Sequence, residues 1–156
     1  FYLTWKAREF DQHTRFIELA GEINTAMPQY VVDVCTRALN EDAKAVKNSK
    51  ILILGLAYKA NVDDDRESPT YVLIEKLEEL GAEVAYNDPH IPVIRPTREH
   101  PHLEGRTSSP IEDKYDLILL ATNHASYYSY DFSKFQCPIV DTRNCIKNHP
   151  ASYYKA

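Results

Sequence analysis

Apolar residues recur every three or four positions between residues 14 and 47, which is the spacing of one face of a helix. Pro28 lacks a backbone donor, so we expect the helix to kink or split near residues 26–27. A helix this long exceeds what a small domain can cover. We therefore expect its apolar stripe to pack on another domain or a second subunit, with an ordinary amphipathic surface helix as the alternative.

A second pattern begins after the polar residues 46–50, and we place a domain boundary there, between a helical element at 1–47 and a domain at 48–156. Short apolar runs follow, of the kind that forms strands buried on both faces of a parallel sheet. The predicted strands are residues 51–55, 83–89, 115–122 and 138–141.

Helix signals lie between the first two strands. Ser68 is a good N-cap, Pro69 suits the first helical position, and Gly81 suits the end of the helix. Residues 91–113 are expected to be mostly loop with one short helix. Alternating strands and helices predict a doubly wound, mostly parallel, Rossmann-like α/β fold preceded by the long helix.

Ligands of such folds bind beyond the carboxyl ends of the strands, and this rule selects the residues to consider for chemistry. They lie at positions 55–66, 88–90, 122–124 and 141–144.

Composition narrows the function further. A formal net charge of −5 argues against a general nucleic-acid-binding surface, although a single bound anion remains compatible with it. No apolar run approaches the roughly 20 residues that span a bilayer, and no signal peptide is recognisable. We expect a cytoplasmic protein with reduced thiols, because its three cysteines lack the paired spacing of a disulfide framework.

The turn after the first strand reads GLAYK at 55–59 and contains one glycine, so the three-glycine dinucleotide fingerprint is absent. Lys59 could still contact a phosphate or sugar oxygen, with Tyr58 offering its ring or hydroxyl. Arg143, after the last predicted strand, would face the same crevice. A solvated Lys59, or an Arg143 paired with an acid of the first loop, would explain these residues equally well.

Three acids and an arginine, DDDR at 63–66, precede the predicted helix. The acids could favour the helix dipole or hold Mg²⁺ in a receiver-like or phosphoryl-transfer site. Arg66 could bind a phosphate or pair with its acidic neighbours. His124 is expected to be a hydrogen-bonded loop residue, and the spacing of Cys137, Cys145 and the nearby histidine matches no metal motif.

Five segments together resemble the UDP-glucose/GDP-mannose dehydrogenase family over nearly the whole chain. They are residues 1–7, 13–28, 55–59, 63–69 and 141–144. Within that family the sequence is most similar to UDP-N-acetylglucosamine 6-dehydrogenases of polysaccharide synthesis. Such enzymes combine an NAD-binding domain, a helical dimerisation domain and a UDP-sugar-binding domain, of which only the last is expected to be complete here.

The resemblance implies oxidation of a sugar C6 alcohol to a carboxylate by NAD⁺, through a cysteine upstream of the segment that matches Phe1. None of Cys35, Cys137 and Cys145 matches that cysteine, so this chain is expected to be a fragment that is inactive alone. By resemblance, Tyr58, Lys59 and Arg143 bind the UDP-sugar, and Arg66 reaches NAD held by the other domain. The long helix would belong to a homodimer or larger homo-oligomer, and no metal is implied.

Overall fold

The computed structural model describes residues 2–156, and Phe1, the first residue of the segments behind the resemblance, lies outside them. Five strands form one sheet in the order β2-β1-β3-β4-β5, and every neighbouring pair is parallel. The predicted α/β fold with a parallel sheet and a long preceding helix is confirmed. The helices are α1 (Tyr2–Arg8), α2 (Arg15–Glu41) and α3 (Pro69–Glu79), and the strands are β1 (Lys50–Leu54), β2 (Glu83–Asn87), β3 (Leu117–Leu120), β4 (Ile139–Asp141) and β5 (Tyr153–Lys155).

The central strands β1 and β3 are buried on both faces, apart from Lys50 at the start of β1. Their continuous apolar sequences, KILIL and LILL, are what such a position requires. All four predicted strands are present. The fifth, β5, was not predicted and adds a short edge beside β4.

Helix α3 begins where the sequence signals place it. The Ser68 side chain accepts a hydrogen bond from the backbone N–H of Thr70, and Pro69 occupies the first turn. Gly81 follows the helix with φ +89°, a left-handed conformation that glycine adopts without steric penalty. The helix buries Ile74 and Leu77 against the sheet.

A kink or a split was predicted at Pro28; helix α2 is continuous through this residue, so the split is absent, and the helix ends at Glu41 rather than near residue 47. Its C-terminal half packs with α3 and one face of the sheet, where Cys35, Ala38 and Leu39 are fully buried. Its N-terminal half carries exposed apolar residues, of which Phe16 is 90% exposed. The division of the chain into 1–47 and 48–156 stays a prediction.

The opposite face of the sheet is covered by 3-10 turns and loops rather than by α-helices. Tyr127, in the turn Ala125–Ser129, and Phe132, in the turn Phe132–Lys134, pack over Leu52 and Ile118. The short helix expected between β2 and β3 is a 3-10 turn at Pro101–Leu103. Across residues 2–156, none of the helices has the length and apolar character needed to cross a bilayer.

Candidate functional site

The turn after β1 approaches the end of β3 closely. Gly55 has φ +92°, and a Cβ added to it would lie 2.5 Å from Cβ of Thr122. The Thr122 hydroxyl donates to the carbonyl of Ala57 at 2.8 Å. The single glycine of the GLAYK segment therefore serves contact with the protein's own backbone, in contrast to a fingerprint turn that lies against a pyrophosphate.

A buried carboxylate, Asp88, organises this edge of the sheet from the end of β2. Burial opposes its ionisation, but hydrogen bonds from His124 and from backbone N–H groups outweigh that effect and hold the pKa of Asp88 below its usual value. The donors to its two oxygens are the backbone N–H groups of Leu56 (2.7 Å), Ala57 (2.9 Å), His90 (2.8 Å) and Ile91 (3.1 Å) and Nε2 of His124 (3.0 Å).

His124 is fully buried, and its hydrogen bonds define its tautomer. Nδ1 accepts from the backbone N–H of Asn61 at 2.9 Å, so this nitrogen carries no proton. Nε2 lies 3.0 Å from the Asp88 carboxylate and must carry the hydrogen. The ring is therefore neutral with the proton on Nε2, and the expectation of a hydrogen-bonded loop histidine is confirmed.

One cleft of about 450 Å³ is lined by Tyr58 and Lys59 from the loop after β1 and by Arg143 from the loop after β4. Nζ of Lys59 lies 5.5 Å from the centroid of the Tyr58 ring, a cation–π distance. In the described part of the chain, neither the Lys59 nor the Arg143 side chain has a carboxylate oxygen within 4.0 Å. The acids Asp64 and Asp65 of the first loop lie near Arg66 and Arg95 instead, so the predicted alternative in which Arg143 pairs with one of them is wrong. Two cations and a tyrosine thus share one solvent-accessible hollow.

Arg143 is oriented from two sides. Its Nε donates to the carbonyl of Ala121 at 2.7 Å, and its backbone N–H donates to Oδ1 of Asp141 at 2.7 Å. Asp141 is fully buried at the end of β4, and its other oxygen accepts from Tyr153 and from the backbone that follows Arg143. The backbone that carries Arg143 is therefore fixed.

Arg66 does not belong to this cleft. Its side chain is 85% exposed and forms a two-pronged pair with Asp64, in which Nε and Nη2 donate at 2.9 and 2.8 Å. These hydrogen bonds lower the pKa of Asp64 to about 2. Asp65 accepts from the hydroxyl of Tyr71 at 2.6 Å and lies 3.8 Å from Arg95. Both carboxylates are therefore engaged by protein donors.

Several lining residues of the cleft were not predicted from the sequence. Glu67 reaches the cleft from the loop before α3 and has φ +60°, an uncommon conformation for a residue with a side chain. Asn24 and Met27 contribute from helix α2, and Thr142 precedes Arg143. Thr142 lies within the stretch 141–144 that the position of the strand ends selected, whereas nothing in the sequence indicated that α2 forms a wall of the cleft.

The three cysteines are free and lie apart from this cleft. Burial raises the pKa of Cys35 to about 12 and that of Cys137 to about 11. Over residues 2–156 there is no group of three or more His, Cys, Asp or Glu side chains arranged as metal ligands.

Comparison with known proteins identifies the family of this chain. Residues 52–148 match the model of the UDP-binding domain of the UDP-glucose/GDP-mannose dehydrogenase family. The chain belongs to that family. The match spans the sheet from β1 to β4 and includes Tyr58, Lys59, Arg66 and Arg143.

Curated relatives of this chain are dehydrogenases that carry the names of N-acetylated sugars. An NDP-N-acetyl-D-galactosaminuronic acid dehydrogenase of Ralstonia solanacearum is 33% identical over 135 residues, which are 85% of this chain and 30% of the relative. A UDP-N-acetyl-D-mannosamine dehydrogenase of Methanococcus maripaludis is 32% identical over 154 residues, with 93% and 34% covered. The chain thus spans about a third of the length of these dehydrogenases.

A solved structure of a related dehydrogenase supports the fold over nearly all of the described residues. The UDP-D-ManNAc dehydrogenase of Pyrococcus horikoshii superposes with a TM-score of 0.77 and 25% identity, covering 96% of this chain and 35% of that one.

Proposed function

We propose that this chain is the nucleotide-sugar-binding part of an NAD-dependent 6-dehydrogenase that oxidises the C6 alcohol of a UDP-N-acetylhexosamine to the uronate. The observation that carries the proposal is the shared cleft of Tyr58, Lys59 and Arg143 in a chain that matches a UDP-binding domain. Two cations on separate loops suit a diphosphate, which carries its charge over several oxygens.

Roles follow from the chemistry of each side chain. Nε–H of Arg143 is used by the carbonyl of Ala121, but the other N–H groups of the guanidinium can donate to a phosphate oxygen. Lys59 acts as a point charge, and the half-exposed Tyr58 offers its ring and hydroxyl. Glu67, at the same cleft, is an acceptor for sugar hydroxyl groups. The printed names of the relatives, an NDP-N-acetyl-D-galactosaminuronic acid dehydrogenase and a UDP-N-acetyl-D-mannosamine dehydrogenase, support an N-acetylhexosamine as the sugar.

NAD would be held mainly by a part of the enzyme other than this domain. The β1 turn has no room for a pyrophosphate against its backbone, because Thr122 fills the space beside Gly55. The Arg66 side chain is largely exposed, so it can contact an NAD molecule that is bound by another domain. The bound nicotinamide supplies the hydride acceptor. We further propose a homodimer or larger homo-oligomer through the exposed half of α2, and a cytoplasmic location.

Calorimetric titration of the chain with UDP and with UDP-N-acetylglucosamine, in the presence of EDTA, tests the proposal. Arg143→Ala is expected to weaken binding by about 1.5 to 3 kcal/mol, because a charge-assisted hydrogen bond is lost. Arg66→Ala is the matched control, since Arg66 lies outside the cleft, and it should leave the affinity unchanged. No UDP binding by the unaltered chain, or equal affinities of the unaltered chain and Arg143→Ala, would refute the proposal. Binding that requires Mg²⁺ would favour the phosphoryl-transfer alternative.

A further inference from the structure

We infer that His124 is a positioning residue for the nucleotide-sugar site, acting through Asn61 on the loop that presents Tyr58 and Lys59 to the cleft. The inference rests on the proposed function. It assigns a role in ligand binding to a fully buried side chain that does not itself line the cleft.

The loop concerned runs from residue 58 to residue 64 and is closed by a hydrogen bond from the backbone N–H of Tyr58 to the carbonyl of Asp64 at 2.8 Å. Its start is fixed by Asp88 and Thr122, which bind the backbone of Ala57. Its middle is held by a separate set of hydrogen bonds.

These hydrogen bonds are made by Asn61, two residues beyond Lys59. Its backbone N–H donates to Nδ1 of His124, and its side-chain oxygen accepts from the backbone N–H of Ala125 at 2.8 Å. Asn61 has φ +62°, a conformation that asparagine tolerates better than most residues. Two hydrogen bonds therefore tie the middle of the ligand loop to the segment that follows β3.

A histidine suits this place because the two contacts are of opposite kinds. The atom facing Asn61 must accept a hydrogen bond, while the atom facing the Asp88 carboxylate must donate one. The neutral ring with its proton on Nε2 meets both needs. Asp88, itself held by four backbone N–H groups, thereby fixes the ring that fixes the loop.

Two substitutions separate the two contacts. In His124→Asn the side-chain oxygen can take the place of Nδ1, which keeps an acceptor for Asn61 and removes the donor to Asp88. In His124→Gln the amide nitrogen can take the place of Nε2, which keeps the donor to Asp88 and removes the acceptor for Asn61. Each variant loses one contact of the buried ring, so both should unfold at lower urea concentration than the unaltered chain.

The expected difference lies in ligand binding. His124→Gln loses the hydrogen bond to the loop itself and should raise the dissociation constant for UDP about tenfold. His124→Asn keeps that hydrogen bond but is held less firmly without Asp88, so it should raise the dissociation constant by the smaller factor of about three. Amide hydrogen exchange, read by NMR without ligand, should accelerate at Asn61 in the glutamine variant and much less in the asparagine variant. A role confined to stability would instead make the affinities follow the urea midpoints.

Asn61→Gly provides a third variant, which leaves the buried pair of His124 and Asp88 intact. It removes the side-chain contact to Ala125 while keeping the backbone N–H and the positive φ, so folding should be retained and UDP binding weakened several-fold. Affinities near that of the unaltered chain in both His124→Gln and Asn61→Gly would overturn the inference while the proposed function stands. An unaltered chain that fails to bind UDP would remove both.

Discussion

Replacing Asp88 with asparagine tests the idea that one buried carboxylate holds the carboxyl edge of the sheet together. The change preserves the size and shape of the side chain and replaces one acceptor oxygen with an NH₂ group. One Asp88 oxygen accepts from His90 and Ile91, and the other accepts from Leu56, Ala57 and His124. In either orientation of the new amide, its NH₂ group therefore faces N–H groups that need an acceptor.

The magnitude follows from the less damaging orientation, in which the NH₂ group faces His90 and Ile91. Two hydrogen bonds to a charged acceptor are then lost, each worth roughly 1.5 to 3 kcal/mol, and Asp88→Asn should lower the free energy of unfolding by about 3 to 6 kcal/mol. A buried pair broken on one side has a cost of about the same size, 3 to 5 kcal/mol. Because small domains are stable by only about 5 to 15 kcal/mol, the variant should lose a large share of the stability of the fold.

Urea unfolding at pH 7, followed by far-UV circular dichroism, measures the effect, with Asp64→Asn as the control. The pKa of Asp64 is also lowered, but that carboxylate is partly exposed and its partner Arg66 is mostly exposed, so the control should shift the midpoint very little. If Asp88→Asn lowered the free energy of unfolding by less than about 1 kcal/mol, the hydrogen bonds to Asp88 would not be what stabilises the carboxyl edge of the sheet.

The same carboxylate predicts a dependence on pH. The pKa of Asp88 is lower in the folded protein than in the unfolded chain, where a value of about 3.9 applies. The unfolded state therefore binds more protons as the solution is acidified, and the stability that Asp88 contributes is full above about pH 4 and lost as pH falls through the lower, folded pKa. Asp88→Asn should lack this contribution, so its free energy of unfolding should decline less steeply below pH 4.

Three further outcomes are expected. Gly55→Ala should prevent stable folding because it combines a positive φ with a steric clash. Gly105 has φ +79° but nothing within 4 Å of an added Cβ, so Gly105→Ala should lower the free energy of unfolding in urea by only about 1 to 2 kcal/mol. Burial raises the pKa of both Cys35 and Cys145, but Cys145 is partly exposed whereas Cys35 is fully buried. Cys145 should therefore react with a thiol reagent in the native state and Cys35 only after denaturation, and equal rates would contradict the packing. Phe16→Ser should weaken self-association in sedimentation experiments, since that ring is 90% exposed. At concentrations where the protein is monomeric it should leave the urea midpoint unchanged, and unchanged association would exclude Phe16 from the interface.

Elements with strong local signals could be predicted from the sequence. The strands β1 and β3 are continuous apolar runs, and α3 has both its cap and its terminating glycine. Strand β5 escaped prediction because three residues, of which Lys155 is exposed, form no recognisable pattern. Helix α2 continues through Pro28 because the proline ring is buried beside residues that pack on the sheet, so tertiary packing outweighs one missing hydrogen bond.

The gathering of Tyr58, Lys59 and Arg143 was predictable because parallel strands bring their carboxyl ends to one edge. Arg66 lies outside that cleft and pairs with Asp64, two residues away, which is one of the alternatives that the sequence left open for it. The link between Asp88 and His124 could not be predicted, since it joins residues 36 positions apart and depends on which way two buried side chains point.

Two buried carboxylates explain how exposed cations can present a fixed geometry. Asp88, after β2, binds the backbone that leads to Lys59, and Asp141, in β4, binds the backbone of Arg143. Each carboxylate is nearly or fully buried, so its hydrogen bonds compete little with water and hold the loop before any ligand arrives. Binding to loops that are already ordered avoids much of the entropy loss that flexible loops would incur. In this arrangement the charges that meet the ligand stay at the surface, while the charges that set their positions lie inside the fold.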